Sequence, residues 1–425
     1  MNKDWICSTN VYEVNLRQYS ESGSFTAFAD HLPRLKDMGV ETLWFMPITP
    51  IAQLNRKGSM GSYYACSDYT SVNPEFGTLN DFRALVQEAQ KRGFRVIMDW
   101  VANHTGWDHV WTREHPDWYK KDEITGSFKR ASGMDDIIEL DYSNNEMRKA
   151  MIDAMAFWVT DCNIDGFRCD LAFWVQLDFW IQAKASLDKV KPLFWLAESD
   201  PLDHPEYMQL FDAAYTWKWM HRAEEFYKRS LSLYELLQVL DRYQLAPGIN
   251  AWFTSNHDEN TWNGTEYDKY GDAAKMLAVF SCTWQGIPLI YSGQELPNHK
   301  RLLFFEKDVI EWHEEPALHS FYKALLHLQR FNPALRCDSK LSRVHSSGDE
   351  KVLSYLRIKD SDEVLVLLNF SPNQVRLELL DHRIAGNFTE LFTQQSIDFD
   401  KQRTIALPGW GYQVCVRNKQ EGVGE

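Results

Sequence analysis

A chain of 425 residues with 44% hydrophobic and 14% aromatic content is globular and too long for one small domain, yet suits a (β/α)8 barrel, typically about 250 residues, plus an appended domain. The formal charge of −15 and the lack of a Lys/Arg-rich run argue against a nucleic-acid partner, because phosphate binding needs basic patches. Seven scattered cysteines without metal-type spacing read as reduced thiols and hence a cytoplasmic protein, and no stretch is apolar enough for a signal peptide or a bilayer span, so no membrane partner is expected.

Short β-rich runs alternate with longer helical patterns, the signature of a parallel sheet built from βα units. Strands are predicted at 11–17, 40–47, 94–101, 166–170, 193–199, 211–216, 251–256 and 287–293, which makes eight. Helical periodicity fills 24–39, 78–93 and 144–162, each opening near Ser, Thr or Asn. After the third strand the chain makes a polar excursion over 104–143, long enough to be a small subdomain. Beyond about 345 the pattern changes to period-two strands without helices, as in "VLSYLRI", "VLVLLNF" and "YQVCVR". The expected organisation is a (β/α)8 TIM barrel over 1–345, interrupted by the subdomain 104–143, and an antiparallel β-sandwich domain over 346–425 whose tail from 418 frays.

The stretch "DGFRCDLAFWV" (165–175) places two charges in an otherwise apolar run, where a lone charge is costly. Alternation along a strand puts Arg168 and Asp170 on one face. A structural ion pair and a catalytic carboxylate fit that stretch equally well. In a barrel of this kind the site is built from the carboxyl ends of the strands. Strand three ends in Asp99, Asn103 and His104, strand four in Arg168 and Asp170, strand five in Glu198, and strand seven in Asn256, His257 and Asp258. Each set alone reads as a turn or a cap. Together, four polar strand ends on the one face where chemistry occurs point to a site. Carboxylates without a metal cluster or a Ser/His arrangement suggest glycoside hydrolysis, which needs a carboxylate and a carboxylic acid about 5 Å apart when configuration is retained. Arg168 would keep Asp170 ionised, and Glu198, emerging from "LFWLA", would stay protonated.

These residues resemble the α-amylase family of glycoside hydrolases. The motifs are "DWVANH" (99–104), "GFRCD" (166–170), the glutamate of "LAES" (196–199) and "SNHD" (255–258), with supporting matches in "SYYACSDYTSVNPEFGT", "VETLWFMPI" and "GIPLIYSGQE". They lie in family order between residues 11 and 295. The resemblance implies Asp170 as nucleophile, Glu198 as general acid/base and Asp258 as a third carboxylate gripping sugar hydroxyls. It also implies that Arg168 orients Asp170, that His104 and His257 hydrogen-bond the sugar, that Tyr64 stacks on it, and that Asp99 and Asn103 are architectural. Where many relatives have lysine and histidine on the leaving side, this chain has Phe173 and Trp174. Only Asn103 matches the family's calcium ligands cleanly, with Glu139 at the aspartate position, so these two are the candidate metal residues and no cofactor is expected to be required. Gly61 stands where exo-glucosidases of the family often carry an aspartate.

The resemblance thus implies a retaining hydrolase of α-1,4-glucosidic bonds in starch-type glucans or maltooligosaccharides. A glucan transferase on the same site shares its first half-reaction. A non-catalytic carbohydrate-binding or assembly module, and a metal-dependent barrel hydrolase, are the alternatives from other classes.

Overall fold

The computed structural model describes residues 3–229, 231–313 and 315–418. Its larger part is a closed barrel of eight parallel strands: β1 (Val11–Val14), β2 (Thr42–Phe45), β3 (Arg95–Trp100), β4 (Gly166–Cys169), β5 (Phe194–Ala197), β6 (Ala213–Tyr215), β7 (Ile249–Trp252) and β8 (Ile287–Tyr291). Each strand pairs with the next, and β8 pairs with β1. Every residue of β1, β2, β4 and β5 is buried, since helices cover the outside while side chains fill the inside. The β4–β5 contact is close. A Cβ on Gly166 would sit 2.0 Å from the Phe194 carbonyl oxygen, so glycine is required there.

Helix starts follow the local chemistry. Thr78 and Asp81 form a reciprocal capping box at the start of Leu79–Lys91, and the Asn144 side chain accepts from the backbone of Glu146 and Met147 at the start of Asn145–Asp161. The single helix expected over 24–39 is two, Phe25–Ala29 and Leu32–Met38. Pro33 lies in the first turn of the second, where its missing N–H costs nothing but where it cannot continue a preceding helix. The seventh strand also starts earlier than the sequence pattern, at Ile249, because the polar Asn250 masks its beginning. It ends at Trp252, and Phe253–Asn256 then lead out of the sheet to deliver His257 and Asp258 to a turn above the barrel.

The excursion 104–143 is tied together by an antiparallel pair of short strands, His104–Gly106 and Ile137–Glu139, with His104 opposite Glu139. At the other end of the chain lies a six-stranded antiparallel sheet made of β9 (Lys340–Arg343), β10 (Val352–Lys359), β11 (Asp362–Asn369), β13 (Asn387–Glu390), β14 (Ser396–Asp398) and β16 (Tyr412–Asn418). A pair formed by β12 (Val375–Glu378) and β15 (Thr404–Leu407) packs on it through Leu377, Leu379, Ile405 and Leu407. The β9 strand precedes residue 346, where the sequence pattern places the start of this domain; "KLSR" has a single apolar residue and no visible alternation. The expected fraying beyond Asn418 lies outside the described residues.

A disulfide joins Cys7 to Cys337 across a separation of 330 residues, so the reading of seven reduced thiols fails at this pair. No spacing rule could have paired them; the fold brings the amino-terminal turn against the segment that leaves the barrel, and the Cys337 amide donates to the Cys7 carbonyl at 2.8 Å. The other five cysteines are buried and free. Among the described residues no helix is long and apolar enough to cross a membrane.

The two domains meet around Arg357, fully buried on β10. Its guanidinium donates to the Thr283 carbonyl at 2.8 Å and the Arg336 carbonyl at 2.7 Å, and the neighbouring Tyr355 hydroxyl meets the Thr283 hydroxyl at 2.6 Å. Replacing Arg357 by methionine strands those carbonyls in the interface. The expected loss is about 2–3 kcal/mol of stability, read as a lower midpoint in urea or thermal unfolding; a change below about 0.5 kcal/mol, the range of ordinary surface substitutions, would show that the interface does not depend on this residue.

Candidate functional site

The register of the barrel creates the site. Asp99 on β3 lies directly beside Arg168 on β4, and both point inward. The Arg168 guanidinium is wholly buried. One terminal nitrogen donates to Asp99 Oδ1 and to Asp170 Oδ1, both at 2.9 Å, while Nε donates to the Tyr215 hydroxyl at 3.2 Å. The other terminal nitrogen lies 2.8 Å from Glu198 Oε2, out of line for a hydrogen bond. Its charge also rests over the Trp44 ring at 4.9 Å.

Asp170 and Glu198 leave adjacent strands at the same level. The next residue, Leu171, takes the left-handed conformation (φ 38°, ψ 51°), which turns the chain sharply and aims its amide at Glu198 Oε2, 2.8 Å away. Burial raises the pKa of both acids, against the pull of Arg168: Asp170 to about 6 and Glu198 to about 7. Burial likewise lifts Asp99 to about 6. Arg168 therefore acts on Asp170 in the expected direction without holding it at an ordinary carboxylate value.

A second chain of contacts runs to the other side of the barrel. Asp99 Oδ2 accepts from Trp44 Nε1 at 3.2 Å and from the Tyr64 hydroxyl at 3.1 Å. The Tyr64 oxygen meets His257 Nε2 at 2.7 Å, and His257 Nδ1 lies 2.5 Å from Glu13 Oε1. The tyrosine's single proton goes to Asp99, so His257 Nε2 must donate, and Nδ1 facing a carboxylate must donate as well. His257 is thus an imidazolium. Burial opposes that charge, but Asp258 and Glu13 outweigh it and raise the pKa to about 9. His104 differs: it is buried, its Nε2 has no partner, and burial lowers its pKa to about 4, so it is neutral.

One cavity of about 380 Å³ collects these groups, with Asp170, Glu198, Asp258, Tyr64 and His104 all in its lining. Asp258 is the most open of the acids, its side chain 36% exposed, 3.4 Å from His257 Nε2 and accepting from Trp262 Nε1 at 3.3 Å. Arg168 and His257 lie just beneath. The structure thus gathers the seven residues that the sequence singled out for catalysis and sugar contact. Phe173 instead stacks on His204 at 4.5 Å.

The proposed metal residues do not come together as a cation site. Glu139 Oε2 is 3.1 Å from both Lys120 and Lys129, so two ammonium groups already neutralise it. The Asn103 amide nitrogen lies 3.3 Å from His104 Nδ1, and its carbonyl oxygen would be a single donor. Among the described residues no cluster of three or more His, Cys, Asp or Glu could hold a metal ion. These donors do not fit calcium, which wants several free oxygens.

Sequence reasoning missed Glu13, although "VYEV" carries the same signal as "GFRCD", a charge inside a buried strand. It also missed Phe304, Lys57 and Asp136 in the cavity wall, which sit on loops without periodicity, and Trp262, which sits on the short π-helical turn Glu259–Asn263.

Residues 12–128 and 115–213 match the family described as "Alpha amylase, catalytic domain", and residues 342–414 match "Maltogenic Amylase, C-terminal domain". The crystal structure of a noncanonic maltogenic α-amylase, AmyB from Thermotoga neapolitana, superposes with a TM-score of 0.88 at 30% identity, covering 99% of this chain and 100% of that one. An α-amylase from Lactobacillus plantarum gives 0.87 at 27% identity, covering 98% and 100%. The α-amylase MalA of Haloarcula japonica is 26% identical over 398 residues, which is 88% of this chain but 57% of that protein.

Glu13→Gln tests the charge assignment at His257 independently of any substrate. Removing the adjacent negative charge disfavours the imidazolium, so an NMR titration should show the His257 pKa falling from about 9 by about one pH unit or more, equivalent to about 1.4 kcal/mol. A His257→Gln variant identifies the resonance. An unchanged titration would mean that Glu13 does not set the state of this ring.

Proposed function

Because the chain belongs to the α-amylase family of glycoside hydrolases, we propose that it hydrolyses α-1,4-glucosidic bonds in maltooligosaccharides and starch-type glucans with retention of configuration. The observation that carries this reading is the pairing of Asp170 and Glu198, two buried carboxyls within reach of one guanidinium and lining one cavity. The names of its relatives, among them maltogenic α-amylase and cyclomaltodextrinase, support an α-glucan substrate.

In the first step an Asp170 carboxylate oxygen bonds to the anomeric carbon as the glycosidic C–O bond breaks, and Glu198 gives its proton to the departing oxygen. In the second, Glu198 takes a proton from water, the hydroxide oxygen bonds to the anomeric carbon from the opposite side, and Asp170 leaves with its electron pair. Asp258 accepts from sugar hydroxyls as positive charge develops on the ring. Tyr64 offers it a flat face, held by stacking on His257 at 5.4 Å and 17°. The His257 imidazolium beneath balances Asp258, and neutral His104 keeps a free Nε2 for a hydroxyl. Arg168 is a positioning residue, since two of its nitrogens donate to Asp99, Asp170 and Tyr215 and the third lies against Glu198.

The working state needs Asp170 ionised and Glu198 protonated. As pH falls through about 6 the nucleophile is lost, and as it rises through about 7 the acid is lost. A bell-shaped kcat/KM profile with its top between these values is expected, and a profile flat from pH 5 to about 9 would contradict the assignment. Asp170→Asn should lower kcat by about 10⁴-fold or more while sugar binding survives. Glu198→Gln should lose most activity on maltoheptaose but far less on an aryl maltoside whose leaving group needs no proton; equal losses on both would remove Glu198 from the acid role. Time-resolved product analysis separates hydrolysis, which steadily raises reducing ends, from transfer, which lengthens some chains.

The lysines on Glu139 support a further element of this reading, that no bound calcium is needed. Prolonged treatment with a strong chelator should leave both activity and the unfolding midpoint unchanged. A fall in either, reversed by added calcium, would refute it.

A further inference from the structure

Directly after Asp258 the chain winds into the π-helical turn Glu259–Asn263, a wide turn of a kind that recurs at functional sites. Its residues are tied on two sides. Towards the loop that follows β8, the Asn260 side chain donates to the Lys300 carbonyl at 3.1 Å and accepts from the Leu302 amide at 2.9 Å, and the Thr261 hydroxyl donates to the Leu302 carbonyl at 2.9 Å. On the other side Glu259 accepts from the Asn263 amide group at 3.0 Å and pairs with the buried ammonium of Lys269.

One side chain of this anchored turn is left open. Trp262 is 51% exposed, although it lines the same cavity as Asp170, Glu198 and Asp258. A single exposed apolar residue is ordinary. This one belongs to a contiguous aromatic surface. Its ring lies 5.5 Å from that of Phe304 and 5.9 Å from that of Phe305, both half-buried in the cavity wall. Phe304 lies in turn 6.2 Å from Tyr64, the two rings within 16° of parallel. Flat rings therefore run without a break from the tyrosine beside the acids to an indole in solvent. The edge of that indole is fixed as well, since Nε1 donates to Asp258 Oδ1 at 3.3 Å.

A connected apolar patch at the mouth of a cavity marks a binding surface. Because the turn is anchored and the ring edge is tied, little freedom is lost when a ligand covers the indole face. A pyranose suits such a face: its C–H groups meet the ring while the hydroxyls around its edge stay in water. We infer that Trp262 is a sugar-binding residue of this site, its exposed face carrying the glucose unit next to the one that Tyr64 faces. The inference rests on the hydrolase reading above and adds to it a residue that favours an α-glucan chain over a single glucosyl group.

The test separates the indole face from its N–H bond to Asp258. Trp262→Leu removes both, and Trp262→Phe keeps a flat ring without the N–H. Each is compared with wild type on α-glucosyl fluoride, which brings one glucose ring alone, and on maltoheptaose, which brings its neighbours. Loss of the bond to Asp258 affects both substrates and cancels in their ratio. The ratio of kcat/KM for maltoheptaose to that for α-glucosyl fluoride should fall by about fivefold or more in Trp262→Leu and stay near the wild-type value in Trp262→Phe. In the Asp170→Asn background, calorimetry should show maltoheptaose bound more weakly by a similar factor once Trp262→Leu is added. An unchanged ratio in Trp262→Leu overturns the inference, because the indole would then serve only Asp258. So does an equal fall of the ratio in both variants, which would assign the effect to the N–H. If Trp262→Leu turns over neither substrate, the calorimetry decides, and undiminished affinity for maltoheptaose overturns the inference. Wild type inactive on both substrates would instead remove the hydrolase reading itself.

Discussion

One buried guanidinium organises this protein. Arg168 has no exposed surface, and the interior of a barrel is a poor solvent for a charge. It is tolerable only because Asp99 and Asp170 accept its hydrogen bonds and Glu198 lies against it. The dependence runs both ways, since removing one member of such a buried set costs about 3–5 kcal/mol. The strands β3, β4 and β5 are thereby locked in register by side chains as well as by their backbone ladder, and the acids cannot drift apart without stranding a charge. Gly166 allows the last of these strands to come close enough for Glu198 to join.

The same arrangement leaves a charge imbalance that the chemistry uses. Two cations, Arg168 and His257, face the carboxyls of Glu13, Asp99, Asp170, Glu198 and Asp258. With water displaced by Trp44, Tyr64 and Tyr215 around the guanidinium, unpaired negative charge is expensive, and the site keeps a proton. The proposed acid, Glu198, accepts from the Leu171 amide and lies against an ill-aligned nitrogen, whereas Asp170 has a direct hydrogen bond from Arg168. In the proposed mechanism acid and nucleophile would thus be distinguished by how each carboxyl is hydrogen-bonded, since both are equally buried. Glu13 settles the corresponding question for His257, pairing the imidazolium from below so that its other N–H faces Tyr64 and Asp258.

What the sequence reveals follows from which residues obey a period. Barrel strands are runs of buried apolar residues, so their order and approximate positions are visible, and a charge within them stands out, as at Arg168. Glu13 stands out by the same rule and was passed over because its partner, His257, lies 244 residues away in sequence. Short strands with polar residues, such as Lys340–Arg343 and Ser396–Asp398, carry no alternation and become legible only through the strands they pair with. The Cys7–Cys337 link and the Lys57–Asp136 pair are contacts between segments that nothing local relates. Reading three acids onto one cavity succeeded because barrel geometry fixes where strands end. The far wall of that cavity escaped because loop geometry is fixed by contacts with other loops.

This division has a consequence for how the enzyme varies. The groups to which the proposed mechanism assigns proton transfer and bond formation follow directly on β4, β5 and the turn after β7, within a network whose members are coupled. The residues Lys57, Asp136, Phe304 and Phe305 of the cavity wall come from loops, and Trp262 comes from the π-helical turn Glu259–Asn263. Changing them alters the shape of the cavity while leaving Arg168 and its acids in place. The cavity wall and the buried charge network are therefore built by different parts of the chain. The two lysines on Glu139 fit the same logic: they steady the subdomain that supplies Asp136 by contacts internal to it, so the outer wall is positioned without drawing on the buried charges of the barrel.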